Sequence, residues 1–90
     1  MQSKSVTYEG RVQGVGFRYS TKQIATGFDV AGSVRNLPDG GVELVVTGDP
    51  EEVDAFLQEI EDSHLGGLIR KSRVEDIPLV EGARGFTISY

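Results

Sequence analysis

From Asp49 to Ile60 the chain reads D-P-E-E-V-D-A-F-L-Q-E-I, and this stretch limits the fold more than any other. Asp49 suits a helix N-cap, Pro50 the first helical position and Glu52 the third residue of a capping box. Val53, Phe56, Leu57 and Ile60 then recur at the spacing of one helical face. Such a stripe needs a partner surface, and the residues before it provide one. Val42, Leu44 and Val46 alternate as in a half-buried strand, preceded by Pro38-Asp39-Gly40-Gly41, which has turn chemistry. Val30 to Leu37 reads as the other arm of that hairpin.

A second strand–helix pair lies upstream. Val6, Tyr8 and Val12 are in step over Val6–Val12, with Gly10 interrupting. Phe17, Thr21, Ile24 and Phe28 mark a helix from about Phe17 to Thr26, with Gly27 suited to a left-handed C-cap. Downstream, Ser63 to Gly67 reads as a loop and a fourth strand falls within Leu68–Leu79. A short fifth strand, Phe86–Tyr90, follows the turn at Glu81-Gly82. The order β-α-β-β-α-β plus a short strand is the split β-α-β, or ferredoxin-like, pattern of the α+β class. It predicts an antiparallel sheet with two helices on one face. At 90 residues the chain is read as one domain, residues 1–90. Fold alone names no function.

Composition removes several functions. There are no cysteines, which excludes disulfides and cysteine-ligated metals and fits a reducing cytoplasm. The N-terminus lacks the apolar core of a signal peptide, and no apolar run reaches membrane-spanning length. A formal net charge of −5 argues against nucleic-acid or anionic-membrane partners, which require a basic field. The apolar stripes are accounted for by one core, so the chain is expected to be a monomer.

Against that acidic background, G-R-V-Q-G-V-G-F-R-Y (Gly10–Tyr19) combines Gly10, Gly14 and Gly16 with Arg18 just before a helix. In a split β-α-β unit the first and second strands run parallel with the third between them. Their ends then share one sheet edge, roughly 9–10 Å apart at two strand spacings. The loop Gln13–Phe17 with Arg18 sits at one end and Val34-Arg35-Asn36 at the other, so Arg18 and Asn36 are expected to face a common pocket. Gly14 and Gly16 can take positive φ and turn successive N–H groups inward, and the following helix adds its N-terminal dipole. The backbone of Gln13, Gly14, Val15, Gly16 and Phe17 together with Arg18 would then cradle a phosphate, the Arg18 fork matching phosphoryl oxygens. A glycine-rich connector carrying a solvated arginine is the other reading of the same residues.

Other motifs fail. No third glycine completes a dinucleotide fingerprint, and no Gly-Lys-Ser/Thr follows for a P-loop. G-V-G-F-R-Y faintly matches an RNA-binding segment, but the third strand, V-E-L-V-V-T, has no aromatic to stack a base. His64 is read as a surface residue. Tyr8, Tyr19 and Tyr90 are read as packing residues.

Two stretches together resemble one family. Gly10 to Arg18 is similar to the G-x-V-Q-G-V-x-F-R signature of acylphosphatases, and Gly32-Ser33-Val34-Arg35-Asn36-Leu37-Pro38-Asp39-Gly40-Gly41-Val42, with Gly48 beyond, resembles their second signature. Ser33 stands where that family usually has an aromatic residue. The resemblance covers the whole chain. It implies a ferredoxin-like fold and hydrolysis of acyl phosphates to a carboxylate and inorganic phosphate, without metal or other cofactor. It also implies that Arg18 binds the phosphoryl group and Asn36 orients the attacking water. Inorganic phosphate, the product, would be a competitive inhibitor. A non-catalytic anion-binding or interaction module of the same fold is the alternative.

Overall fold

The computed structural model describes residues 1–90. Its elements are β1 (Gln2–Gly10), α1 (Phe17–Ala25), β2 (Val30–Asn36), β3 (Val42–Gly48), α2 (Pro50–Asp62), a 3₁₀ turn (His64–Leu68), β4 (Ile69–Ile77) and β5 (Phe86–Ser89). They form a single sheet in the order β4-β1-β3-β2-β5, with both helices packed on one face. β3 lies between β1 and β2, antiparallel to each, so β1 and β2 run parallel.

The sheet is mixed rather than antiparallel throughout, because β5 pairs parallel with β2. β4 runs antiparallel to β1 and ends beside the start of β1, at the end of the sheet away from the Gly10–Tyr19 segment. The connection from there to β5 is pinned first to β1, where Val80 N donates to Ser3 Oγ (3.0 Å). It then reaches β2, where Gly32 N donates to Gly85 O (2.9 Å). β5 therefore starts at the end where β2 starts.

The core is the inner face of this sheet closed by the helical stripes. Val42, Leu44 and Val46 of β3 are fully buried, as are Val53, Phe56 and Ile60 of α2. Leu57 lies at the margin of the core, with Ile24 and Phe28 from the α1 side. Aromatic rings join the layers. Tyr8 meets Phe17 at 5.3 Å between centroids, and Phe56 meets Phe28 at 5.9 Å and Phe86 at 5.8 Å. Burial, with the Glu61 carboxylate in addition, pushes the Tyr8 phenol above its ordinary value, so it stays neutral in the core.

Several local expectations are corrected. β1 begins at Gln2 and stops at Gly10. Its first residues are polar on both faces, which hides the strand period, yet Ser3 is buried and shares a 2.7 Å hydrogen bond with Thr47. Val12 is buried but lies beyond the ladder. Helix α1 ends at Thr26 in right-handed geometry (φ −63°, ψ −20°), and Gly27 is not left-handed. At α2 the capping box does not form: Asp49 makes no side-chain cap bond. Glu52 Oε1 instead accepts from Asp29 N at 2.7 Å, tying the α1–β2 connection to α2. The segment after α2 is a 3₁₀ turn, not an open loop, started by Ser63 Oγ accepting from Leu65 N (3.1 Å) and burying Leu65.

β1 leaves the sheet through a bulge at Glu9/Gly10, opposite the start of β4. Gly10 adopts φ +136°, a Cβ there would collide with Leu68 O and lie 2.7 Å from Arg70 N, and Arg11 N closes the corner on Leu68 O (2.9 Å). Both the dihedral and the space demand glycine. Gly10→Ala is expected to destabilise the fold by about 2 kcal/mol or more. Urea titration checks this, with a lowered midpoint and an unchanged slope as the expected result.

Candidate active site

The corner at Gly10 releases the chain into the segment Arg11–Gly16, which crosses the sheet edge toward α1. Gly14 (φ +74°) and Gly16 (φ +77°) are both left-handed, and neither would place a Cβ against any atom. The surface beside them is therefore open, and the glycines serve backbone direction rather than close packing. Gly16 is also the N-cap of α1 and offers no side-chain acceptor to the helix. From Gln13 to Tyr19 no backbone N–H reaches a backbone acceptor, and Ser20 N, donating to Gly16 O at 2.9 Å, is the first that does. A run of unpartnered amides at a helix N-terminus is an anion-binding arrangement.

The pocket beside it, about 190 Å³, is bounded by Gly14, Gly16, Arg18 and Asn36, with Phe17 and Ile88 among its apolar walls. Arg18 and Asn36 come to it from α1 and from the last residue of β2. The Arg18 guanidinium donates through Nη1 to Ser89 O (3.1 Å) and lies 4.8 Å from the centroid of the Tyr90 ring. These contacts hold the charge over the pocket and leave its other N–H groups available. Asn36 Oδ1 is buried without a hydrogen-bond partner. A buried polar atom left unpaired is costly and uncommon, and it marks a place where a ligand or solvent donor fits.

The remaining candidates divide. Gln13 turns its side chain away from the amides: Nε2 donates to Leu37 O (2.8 Å) and Gly41 O (2.7 Å), bracing the loop against the β2–β3 turn. Only its backbone can belong to a cradle. Val15 is exposed at the loop tip, and Phe17 is buried beneath the loop. Ser33 alternates with buried Val34, so it faces the opposite side of the sheet from the pocket and alters neither Arg18 nor Asn36. His64 is exposed and stands 3.4 Å from Ser20 Oγ. Tyr8 is a packing residue, but Tyr19 and Tyr90 are not: they are 62% and 98% exposed and both line the pocket. Periodicity could not separate these cases, since Tyr19 sits on the solvent face of α1 and Tyr90 just beyond the final ladder pair. Larger depressions occur elsewhere, including one of about 280 Å³ between α2 and β4, but they lack the run of free amides. No group of three or more His, Cys, Asp or Glu residues gathers anywhere in a metal-holding arrangement.

The family model described as Acylphosphatase matches residues 4–88. The chain belongs to the acylphosphatase family. It is 51% identical over 83 residues to an acylphosphatase of Thermococcus kodakarensis, covering 88% of this chain and 86% of that one. It is 36% identical over 89 residues to an acylphosphatase of Enterococcus faecalis, covering 98% of each. Among solved structures, the crystal structure of acylphosphatase from Bacillus subtilis superposes with a TM-score of 0.90 at 31% identity over the full length of both chains. The ferredoxin-like architecture inferred from element order is thus that of this acylphosphatase fold.

The Gln13 brace yields a prediction. Gln13→Ala removes two hydrogen bonds from carbonyls that keep a backbone donor each, Gly40 N on Leu37 O and Leu37 N on Gly41 O, and is expected to cost about 1 kcal/mol. Gln13→Glu is expected to cost more at neutral pH, because a carboxylate would face both carbonyl oxygens. Denaturant titration of both variants checks the order, and equal stability of all three proteins would show that the brace carries no load.

Proposed function

We propose that this pocket hydrolyses acyl phosphates to a carboxylate and inorganic phosphate, with Arg18 binding the phosphoryl group and Asn36 orienting the water. Membership of the acylphosphatase family supplies the reaction. The run of unpartnered amides facing a fixed guanidinium supports the assignment of residues. The amides of Gly14 to Phe17 and the Arg18 fork surround the non-bridging oxygens, where charge is stabilised in the transition state. The unpaired Asn36 Oδ1 accepts a hydrogen bond from the attacking water.

The chemistry needs little else. Water oxygen forms the new bond to phosphorus as the bond from phosphorus to the acyl oxygen breaks, and the carboxylate leaves with that electron pair. Its conjugate acid has a pKa of about 4–5, like a side-chain carboxyl, so it departs without a general acid. Phosphoryl transfer through a loose transition state depends chiefly on positioning and charge stabilisation. Both protons of water remain with the phosphate product, one passing to a phosphoryl oxygen, so no protein base is required. The alternative, a module that binds phosphate without turnover, shares the cradle but assigns no role to Asn36.

Kinetics of two variants separate these readings. Arg18→Ala is expected to weaken inhibition by inorganic phosphate and to abolish turnover, and Arg18→Lys to restore little of either, since a point charge lacks the planar fork. Asn36→Ala is expected to keep phosphate inhibition while turnover falls about 10²–10³-fold. Wild-type turnover is expected to survive exhaustive chelation. Folded Asn36→Ala with full turnover, or loss of activity on chelation that magnesium restores, would defeat the mechanism.

We also propose that the protein acts as a cytoplasmic monomer without a nucleic-acid partner. The acidic balance supports this reading, and no helix is long and apolar enough to cross a membrane. Sedimentation is expected to give a mass near the 9.7 kDa of one chain, unchanged by added RNA at physiological salt. A dimer mass or an RNA-bound species would overturn it.

A further inference from the structure

We propose that the groove between α2 and β4 is a second binding site, for a small organic cation: a protonated primary amine carrying one apolar tail. The groove holds about 280 Å³. It exists because the apolar face of the sheet runs on beyond its helical cover. β4 is an edge strand, and its Val74, paired in register with buried Val6 of β1, is 51% exposed. The other wall is α2. Its core stripe is Val53, Phe56 and Ile60, but the groove takes the adjoining face, Asp54, Leu57 and Glu61. Asp54 and Glu61 stand about 10 Å apart along the helix, and neither forms an ion pair.

The two ends of the groove differ. At one, Lys4 is paired with Asp76 at 3.5 Å. At the other stands Tyr8, opposite Ser72 in the strand register. Only 1% of Tyr8 is exposed, yet it lines the groove. Its hydroxyl has no hydrogen-bond partner within the protein. It is not sealed off either, because Asn36 Oδ1 is the one fully buried side-chain polar atom left unpaired. The Tyr8 hydroxyl therefore opens on the groove. Burial raises the Tyr8 phenol and the Glu61 carboxylate raises it further, so the two groups share this end. A neutral phenol beside an unpaired carboxylate recognises a cation with several N–H donors. An ammonium there donates to Glu61 and to the Tyr8 oxygen, and its tail lies along Leu57 and Val74 over Val6. An anion would meet Asp54 and Glu61. A second ammonium, at the far end of the tail, would meet Lys4.

2-Phenylethylamine tests this, since its ammonium stays charged at neutral pH as a lysine side chain does. Titration followed by backbone amide NMR is expected to saturate with a Kd of about 1 mM, the scale of so small a ligand. The shifts should group at Leu57–Glu61 and Ser72–Val74. 2-Phenylethanol keeps the tail without the charge, and methylamine the charge without the tail. Each should bind about tenfold more weakly or worse. Glu61→Gln is expected to weaken the amine about three- to tenfold, and Tyr8→Phe about two- to fivefold. Glu59→Gln removes a carboxylate of α2 outside the groove and should change nothing, and saturating inorganic phosphate should leave the affinity as it is. No saturation in the millimolar range, shifts confined to Gly14–Arg18, or displacement by phosphate would overturn the site. So would equal weakening by Glu59→Gln, or wild-type affinity in both Glu61→Gln and Tyr8→Phe.

Discussion

The structure turns on β3. Its inner face, Val42, Leu44 and Val46, has no solvent exposure, and β1 and β2 pair antiparallel on its two sides over matching registers. Val6 and Val34 both sit opposite Leu44. Two strands paired antiparallel to a common third must be parallel to each other, so the C-terminal ends of β1 and β2 share one edge of the sheet. That requirement, set by burial of one strand, delivers the glycine loop and Asn36 to the same place. The meeting of the glycine loop and Asn36 is a consequence of core packing, which the Gln13 bonds to Leu37 O and Gly41 O then reinforce.

What remains is local control of the loop, and it rests on backbone chemistry. Gly10 lets β1 turn out of the sheet against Leu68 and Arg70. Gln13 fastens the first part of the loop to the β2–β3 turn. Gly14 and Gly16 direct the chain into α1 in left-handed geometry. The loop they shape leaves the amides from Gln13 to Tyr19 without backbone partners, which a merely structural loop would avoid. The cost of those donors, and of the unpaired Asn36 Oδ1, is consistent with a site organised before substrate arrives, so that little reorganisation accompanies reaction.

How much of this was legible in the sequence follows from where the signal was periodic. The stripe Val53-Phe56-Ile60 and the alternation Val42-Leu44-Val46 were readable because burial imposes a period on residue type. Element order then implied the topology, and Gly14 and Gly16 at positive φ followed from the loop before α1. The start of β1 was hidden because Ser3 is buried through hydrogen bonds to Thr47 and Val80 rather than through apolar contact. Leu65 was missed because a single apolar residue between Ser63 and Gly66 has no period. The capping box failed for a tertiary reason: Glu52 has a better partner in Asp29 N than in its own helix end. The parallel pairing of β5 depends on the path of Pro78–Gly85 across the sheet, which local pattern does not encode. The exposure of Tyr90, just beyond β5, depends on the same path, whereas Tyr19 lies off the buried Phe17-Thr21-Ala25 face of α1.

β5 adds more than an edge to the sheet. Phe86 packs its ring on Phe56, and its last residue presents a carbonyl that Arg18 uses as an anchor. An arginine at the start of a helix has many rotamers, and ordering it costs conformational entropy of about 1.5–2 kcal/mol if it must happen on binding. The Ser89 carbonyl and the Tyr90 ring meet part of that cost in the free protein, and they do so without a carboxylate that would neutralise the charge. A carboxylate anchor would hold Arg18 more tightly but would place a negative charge beside the site of an incoming dianion. A neutral carbonyl and a ring face orient the guanidinium and leave its full charge for the phosphoryl group that the proposed assignment places there. The parallel strand at the sheet edge is therefore part of the site's electrostatics as well as of its fold.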